Sequence, residues 1–369
     1  MKAPGVYVSY PFCAQKCTYC NFASGVYPKQ LEREYLEALL FELRATRFDL
    51  KPDTVYFGGG TPSQMPTADL ASVLAAIPGR PWVEATLEAA PGTITPEAAA
   101  AWFAAGINRA SLGVQSFAPR ELARTGRKHS PETVLHDVTV LRDAGIANIN
   151  LDLIAGLPGQ THESWATSLD WIARLAPPHV SVYMLEVDED SRLGQEVLFN
   201  GQRYGAPDVP SDEAIAGFYE TAVDRLSALG IQRYEISNFA KPGFESLHNL
   251  KYWRLDPYLG FGADAHSYHA GMRWQNSESA ADYVATMRAR GSARESLEPA
   301  SPAEERFFVG LRLTAEGIRP DAAEWARWDT PISRFLQQGL LERKDDRLRL
   351  TGRGVLYSNE IFAEFLESK

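Results

Sequence analysis

The chain has 369 residues, 45% of them hydrophobic and 23% charged, with a formal net charge of −10 at pH 7. That length holds one large domain or two, and the composition is that of an ordinary globular protein. The acidic balance disfavours nucleic acid or an anionic lipid surface as the main partner, and no run of 18 apolar residues is present that would mark a membrane-spanning helix.

Met1-Lys-Ala-Pro-Gly5 carries no apolar signal segment, so a cytoplasmic protein with reduced thiols is expected. Val6–Tyr10 reads as a strand, and the only three cysteines of the chain follow it as Cys13, Cys17 and Cys20, spaced C-x3-C-x2-C. A disulfide framework calls for cysteines spread along the chain, usually in even number. A structural zinc site calls for a fourth ligand, and the next Cys or His is His129. Three thiolates instead leave one iron of a [4Fe–4S] cubane without a protein ligand and open to a small molecule.

Leu31, Tyr35, Leu39 and Leu43 then recur at helical spacing. Thr54–Phe57 is a short apolar strand, ended by Gly58-Gly59-Gly60-Thr61-Pro62-Ser63. Glycines there let backbone groups approach a ligand closely, and no Gly-Lys-Ser/Thr follows, so this is not a phosphate loop. Helix patterns near 67–77, 96–105, 131–144 and 162–174 alternate with strand patterns near 83–88, 109–114, 147–154 and 179–185. A helix near 212–229 and a strand near 232–237 make a last unit, and the polar stretch 186–212 reads as an excursion over the mouth. About six βα units predict an α/β protein with a parallel sheet, open or rolled into a TIM-like barrel, with its chemistry at the C-terminal ends of the strands. Residues 1–240 form this core. Glycines and aromatics cluster in a connecting segment, 241–300. A small C-terminal α/β domain covers 301–369, with helices near 302–313 and 321–338 and a hairpin over 339–350.

The cysteine triplet with Tyr19, taken with Gly58–Ser63, resembles the radical S-adenosylmethionine (SAM) superfamily. Its members fold as a partial (β/α)6 barrel, and SAM chelates the fourth iron of their cluster; reduction cleaves SAM to a 5′-deoxyadenosyl radical. Five further segments narrow the resemblance: Glu88–Gly92, Asn108–Phe117, Gly126–His129, Asn150–Thr161 and Tyr234–Phe239. In order and spacing they are similar to the branch that holds oxygen-independent coproporphyrinogen III oxidases and a sister group of heme chaperones. The resemblance implies Cys13, Cys17 and Cys20 as cluster ligands, with Tyr7 and Tyr19 beside them. It implies Gly59, Gly60, Thr61 and Glu88 at SAM. Gln115, Arg127 and Asp152 match positions that touch a second SAM in the oxidase. A carboxylate suits ammonium or ribose hydroxyl groups and Arg suits a carboxylate; a structural ion-pair set at the strand ends is the plainer reading of Glu88, Arg127 and Asp152.

Two features divide the siblings. The oxidase carries a further cysteine two residues past the third, where this chain has Phe22, as the chaperones do. His248-Asn-Leu-Lys-Tyr-Trp253 matches the H-N-x-x-Y-W motif of the chaperones. Imidazole can ligate heme iron and aromatic rings can pack on the macrocycle, although a lone His is by default a hydrogen-bonded structural residue. His266 and His269 are weaker candidates, and Trp274 is grouped with the same aromatic surface. Ser9 stands where many relatives have His, Ala90 where some have Asn, and Asp264 where Gly is usual. Gly310–Leu313 and Leu350–Gly354 resemble that family's C-terminal domain, which has a winged-helix-like look; the acidic pI of about 5.3 favours a lid or docking role over nucleic acid. The resemblance therefore implies a protein with a [4Fe–4S] cluster, SAM and heme that passes heme to an acceptor protein, membrane-bound or not. Whether it is also an enzyme stays open; the alternative is oxidative decarboxylation of coproporphyrinogen III, and a homodimer is left open too.

Overall fold

In the computed structural model, residues 2–366 are described. Six βα units come first. They are β1 (Gly5–Tyr10) with α1 (Lys29–Ala45), β2 (Thr54–Gly59) with α2 (Thr67–Ala76), and β3 (Glu84–Ala89) with α3 (Pro96–Ala105). Then come β4 (Arg109–Gln115) with α4 (Pro119–Arg124) and α5 (Pro131–Asp143), β5 (Asn148–Ala155) with α6 (His162–Leu175), and β6 (His179–Met184) with α7 (Arg192–Leu198) and α8 (Asp212–Ala228). Helix starts are set by local chemistry: Thr95, Ser130, Thr161 and Ser211 each accept a backbone N–H three residues on, and Ser130 and Thr161 head reciprocal capping boxes.

The six strands are parallel neighbours in sequence order. Their alternation explains the layers. Val6, Val8, Val55, Phe57, Leu87, Leu112, Leu151 and Val182 point outward and are buried under the helices. The inward positions are polar: Tyr7 and Ser9, Tyr56, Thr86 and Glu88, Arg109 and Ser111, Asn150 and Asp152, His179 and Ser181. A closed barrel of this type normally fills its interior with branched aliphatics. Here the sheet curls around a polar lumen, and Tyr183 on its wall keeps 41% of its surface accessible.

The lumen is not sealed by strand pairing. The strand expected over 232–237 is reduced to β7 (Gln232–Arg233); β8 (Asn238–Ala240) follows, and β8 pairs antiparallel with both β6 and β7. On the other edge, β9 (Tyr258–Phe261) joins β1 in parallel, and β10 (His266–His269), β11 (Met272–Gln275) and β12 (Glu298–Pro299) continue the same sheet antiparallel. The result is one twelve-stranded open sheet, a partial barrel.

The gap at the bottom is filled by α9 (Leu247–Trp253), which precedes β9. Its N-terminal amides are held by one buried carboxylate: Glu84, at the start of β3, accepts from the N–H of Leu247 (3.0 Å) and of His248 (2.9 Å). A carboxylate there also complements the positive end of the helix. Arg109 lies 4.0 Å from Glu84, also fully buried. Gly5 lets the helix approach, since a Cβ there would meet Lys251 and His248 at 2.9–3.0 Å.

After α10 (Ala280–Arg290), the C-terminal domain holds α11 (Pro302–Phe308), α12 (Ala322–Arg327), α13 (Asp329–Gln337), the hairpin β13 (Leu341–Lys344) and β14 (Arg347–Leu350), α14 (Gly352–Leu356) and α15 (Ser358–Ala363). The single helix expected over 321–338 is two, because Trp328 leaves helical geometry and Pro331 falls in the first turn of α13, where no backbone donor is needed. Phe307, Trp328 and Phe365 form its centre. It docks on the core through Arg273–Glu305, Arg254–Glu316 (2.8 Å) and Arg312 over the ring of Trp253.

Glu84→Ala would leave two helix amides without an acceptor and Arg109 without its counter-charge. It is expected to cost about 3–5 kcal/mol, read as a lowered denaturant midpoint.

Candidate functional site

The cysteine loop leaves the C-terminal end of β1 and is fixed from several sides. The glycine strip runs beside it: Gly60 N–H bonds Tyr10 O (2.8 Å) and Thr61 N–H bonds Phe12 O (2.9 Å). A side chain at Gly60 would meet the backbone of Phe12 at 2.7 Å, so this approach requires glycine. Gly59 has φ +106°, which turns the strand into that strip. From the far side, Leu193 N–H bonds Thr18 O and Asn21 bonds Asp188, so the 186–212 excursion packs on the loop at the mouth. Cys13, Cys17 and Cys20 are free thiols, each partly exposed. Among the described residues no three His, Cys, Asp or Glu side chains converge as for a single ion. Three thiols on one loop, with no fourth Cys or His near them in sequence, suit a cubane that takes each cysteine on a different iron and leaves one iron open.

The lumen wall next to the loop gathers most of the implied residues. Tyr7 on β1 stacks on Tyr56 of β2, and Tyr56 donates to Glu88 Oε1 on β3 (3.0 Å). Glu88 also accepts the N–H of Gly59, yet burial and then the nearby Asp152 raise its pKa to about 7. Asp152 on β5 accepts from Asn150 (2.7 Å) and Ser111 (3.1 Å), and burial raises its pKa as well. On β4 a bulge after Gly113 puts Gln115 at φ +68°, and a Cβ at Gly113 would meet Gln115 Nε2 (3.0 Å) and Arg127 (3.2 Å). Arg127 donates twice to the Tyr19 hydroxyl, 3.3 Å from Nε and 3.1 Å from its terminal nitrogen, and Tyr19 lies against Cys17. Tyr7, Tyr19, Gly59, Gly60, Glu88, Gln115, Arg127 and Asp152 are thus arrayed around one mouth. Thr61 sits just beyond Gly60 on the strip.

His248 lies beneath this wall, its ring centre 5.4 Å from that of Tyr56. It is on α9 against Thr54, the first residue of β2, about 16 Å of strand from the glycine strip. The ring has no exposed surface, Nδ1 meets Thr54 Oγ1 (3.0 Å) and Nε2 meets the Tyr252 hydroxyl (2.8 Å). Burial, with Lys251 next, lowers its pKa to about 3, so it is neutral. Both nitrogens are engaged, and Tyr252 and Trp253 are spent on His248, Tyr258 and Arg312. In this conformation His248 is a floor residue of the lumen. His266 is exposed at the start of β10, opposite Gln275 of β11. Asp264 takes φ +58°, a left-handed conformation that explains the usual glycine, and accepts from Gln275.

Several lumen groups were not singled out from the sequence: Tyr56, Arg109, Ser111, Asn150, His179 and Ser181. His179 is fully buried between Asn150 (2.6 Å) and the Tyr234 hydroxyl (2.9 Å), which in turn accepts the Ser246 N–H at the head of α9. The signal for all six was there: polar residues recur with period two on strands whose other positions are apolar.

An open parallel sheet with a three-thiol loop at the strand ends and a polar lumen beside it defines a metallocluster protein that takes a small polar ligand at its mouth. Residues 7–172 match the radical SAM superfamily, and residues 297–357 match the HemN C-terminal domain. A protein of Lactococcus lactis named heme chaperone HemW is 34% identical over 99% of this chain and 98% of its own. Those of Bacillus subtilis (35%, 98% and 98%) and Escherichia coli K12 (31%, 98% and 97%) carry the same name. The solved structure of the E. coli coproporphyrinogen III oxidase HemN, described as a radical SAM enzyme, superposes with a TM-score of 0.83 at 23% identity, covering 98% of this chain and 90% of that one. The chain therefore belongs to the radical SAM superfamily and, within it, to the HemW family. Membership implies a [4Fe–4S] cluster and SAM, which when bound bring a redox-active iron centre and a sulfonium to the lumen mouth.

A carboxyl whose pKa is higher folded than unfolded binds an extra proton in the folded chain, so Glu88 contributes less stability as pH rises from 4.5 to about 7. Glu88→Gln removes that loss. In SAM-free protein the variant is expected to gain on the parent between pH 5 and pH 8, seen by comparing denaturant midpoints at the two pH values.

Proposed function

We propose that this protein binds heme and hands it to an acceptor protein in the cytoplasm or at the membrane surface. The observation that carries this is end-to-end similarity, 31–35% identity over at least 97% of both chains, to proteins named heme chaperones. Phe22 supports it. It stands where the oxidase has its additional cysteine, and it is 63% exposed, outside the lumen packing. Likeness to the oxidase at 23% identity concerns the fold alone. No helix among the described residues is long and apolar enough to cross a membrane, so a membrane acceptor would be met at the surface.

Within this reading Cys13, Cys17 and Cys20 hold the cluster. Gly59, Gly60 and Thr61 present backbone groups to SAM, and Tyr7 and Tyr19 wall its site. Glu88 takes a polar hydrogen of SAM, with a carboxyl that can give or take the proton near neutrality. Arg127, oriented by Tyr19, pairs with a carboxylate, and Gln115 and Asp152 supply further polar contacts. His248 is a heme ligand only if its bonds to Thr54 and Tyr252 open. Residues 1–240, 241–300 and 301–369 serve as core, connector and docking domain.

Two measurements test this. Any one of Cys13→Ser, Cys17→Ser or Cys20→Ser is expected to lose the cluster's absorbance and iron; four irons retained per chain would sink the ligand set. Ferric heme titrated into the reconstituted protein is expected to saturate near one per chain and then move to a heme-free acceptor. Absence of heme binding, with SAM cleavage driven by coproporphyrinogen, would establish the oxidase instead.

A further inference from the structure

Resting on the heme-binding reading, a second region of the molecule has the chemistry of a porphyrin seat. A groove of about 380 Å³ lies on the outer face of the sheet, between β9–β11 and the chain that leaves α1. That volume is in the range of small-molecule sites. Its walls follow from register. Ser267 pairs with Trp274 and His269 with Met272, so His269 and Trp274 are diagonal neighbours on one face of the hairpin. Phe48 packs on the buried Phe261 of β9, ring centres 6.0 Å apart, and both border the groove.

Among the described residues His269 makes no hydrogen bond through either ring nitrogen, and its Nδ1 is buried without a partner. Nε2 is then the nitrogen a ligand in the groove can reach. An imidazole left uncommitted inside a half-apolar groove is costly unless something else engages it. His248 is the opposite case, with no exposed surface and both nitrogens taken. The rim carries two guanidiniums. Arg294 lies over the Trp274 ring at 4.2 Å; it makes no ion-pair contact with a described carboxylate, although its charge acts on the buried Glu42. Arg47 is exposed, 3.6 Å from Asp49. The other acid in the lining, Glu42, already accepts from Gly262, Asn276 and Tyr283. Flat aromatic walls, a free imidazole and cationic lips complement one ligand class: a planar metalloporphyrin bearing carboxylates.

We propose that this groove seats the heme, with His269 Nε2 as axial ligand, Trp274 and Phe48 against the macrocycle, and Arg294 and Arg47 on its propionates. Heme would then sit on the outer face of the sheet and SAM in the lumen.

The test titrates ferric heme and metal-free protoporphyrin IX into the full-length, cluster-reconstituted parent and into His269→Ala, Trp274→Ala and His248→Ala, with iron content and circular dichroism as fold controls. His269→Ala is expected to shift the Soret band and weaken heme about tenfold or more while leaving protoporphyrin IX bound, because only iron needs the imidazole. Trp274→Ala is expected to weaken both ligands, and a folded His248→Ala to bind as the parent does. A Soret band and affinity unchanged in His269→Ala overturn the ligand assignment. Unchanged binding in both groove variants, or loss confined to a folded His248→Ala, overturns the site. No binding by the parent sinks the heme-chaperone reading itself.

Discussion

The structure depends on burying ionisable and hydrogen-bonding side chains on the concave face of a parallel sheet. In a medium of low dielectric each such group left without a partner costs about 1–3 kcal/mol. Asn150 is the hub of the solution. Its amide nitrogen reaches Ser111, Asp152 and Ser181, and its oxygen meets His179, so β4, β5 and β6 are tied at one level. Glu84 and Arg109 do the same one level lower. The apolar outer face of the same strands, packed under α1–α8, stabilises the sheet enough to offset this interior.

Much of this was legible in the sequence, and the reasons differ by element. Strands β1 to β6 announced themselves through outward apolar residues at alternate positions, and the helices between them through capping residues and helical spacing. β9 to β12 were missed because strands of two to four residues amid glycines and aromatics carry too few periods to read. At 232–237 the alternation suggested a strand, but Tyr234 turns to His179 and Ser246, and Glu235 to Asn238. Local bonding of that kind has no periodic signature. The cysteine loop was plain from cysteine usage alone, whereas Gln115 and Arg127 needed the family pattern. The surroundings of His248 were beyond reach, since Thr54, its Nδ1 partner, lies 194 residues away.

The histidines show why residue type alone misleads. His179, His248 and His269 are the same side chain with different bonds already made: both ring nitrogens are engaged in the first two, and Nδ1 has no partner in the third. The first two are held neutral by burial and by bonds at both nitrogens. A motif containing a histidine therefore marks a position that the fold cares about, and the bonds already made decide whether the imidazole is available to iron.

The floor of the lumen has a consequence for synthesis. Glu84 and the amides it holds are 163–164 residues apart in the chain. At about 5–20 residues per second, a ribosome takes roughly 8–30 s to travel from one to the other. The cysteine loop and glycine strip are made before that interval begins, β4 to β6 are made during it, and the underside of the sheet stays uncovered until α9 follows. The six-strand wall is complete only at Met184, 64 residues before His248, so at that rate a nascent chain is a through-channel for roughly 3–13 s before it becomes a cup.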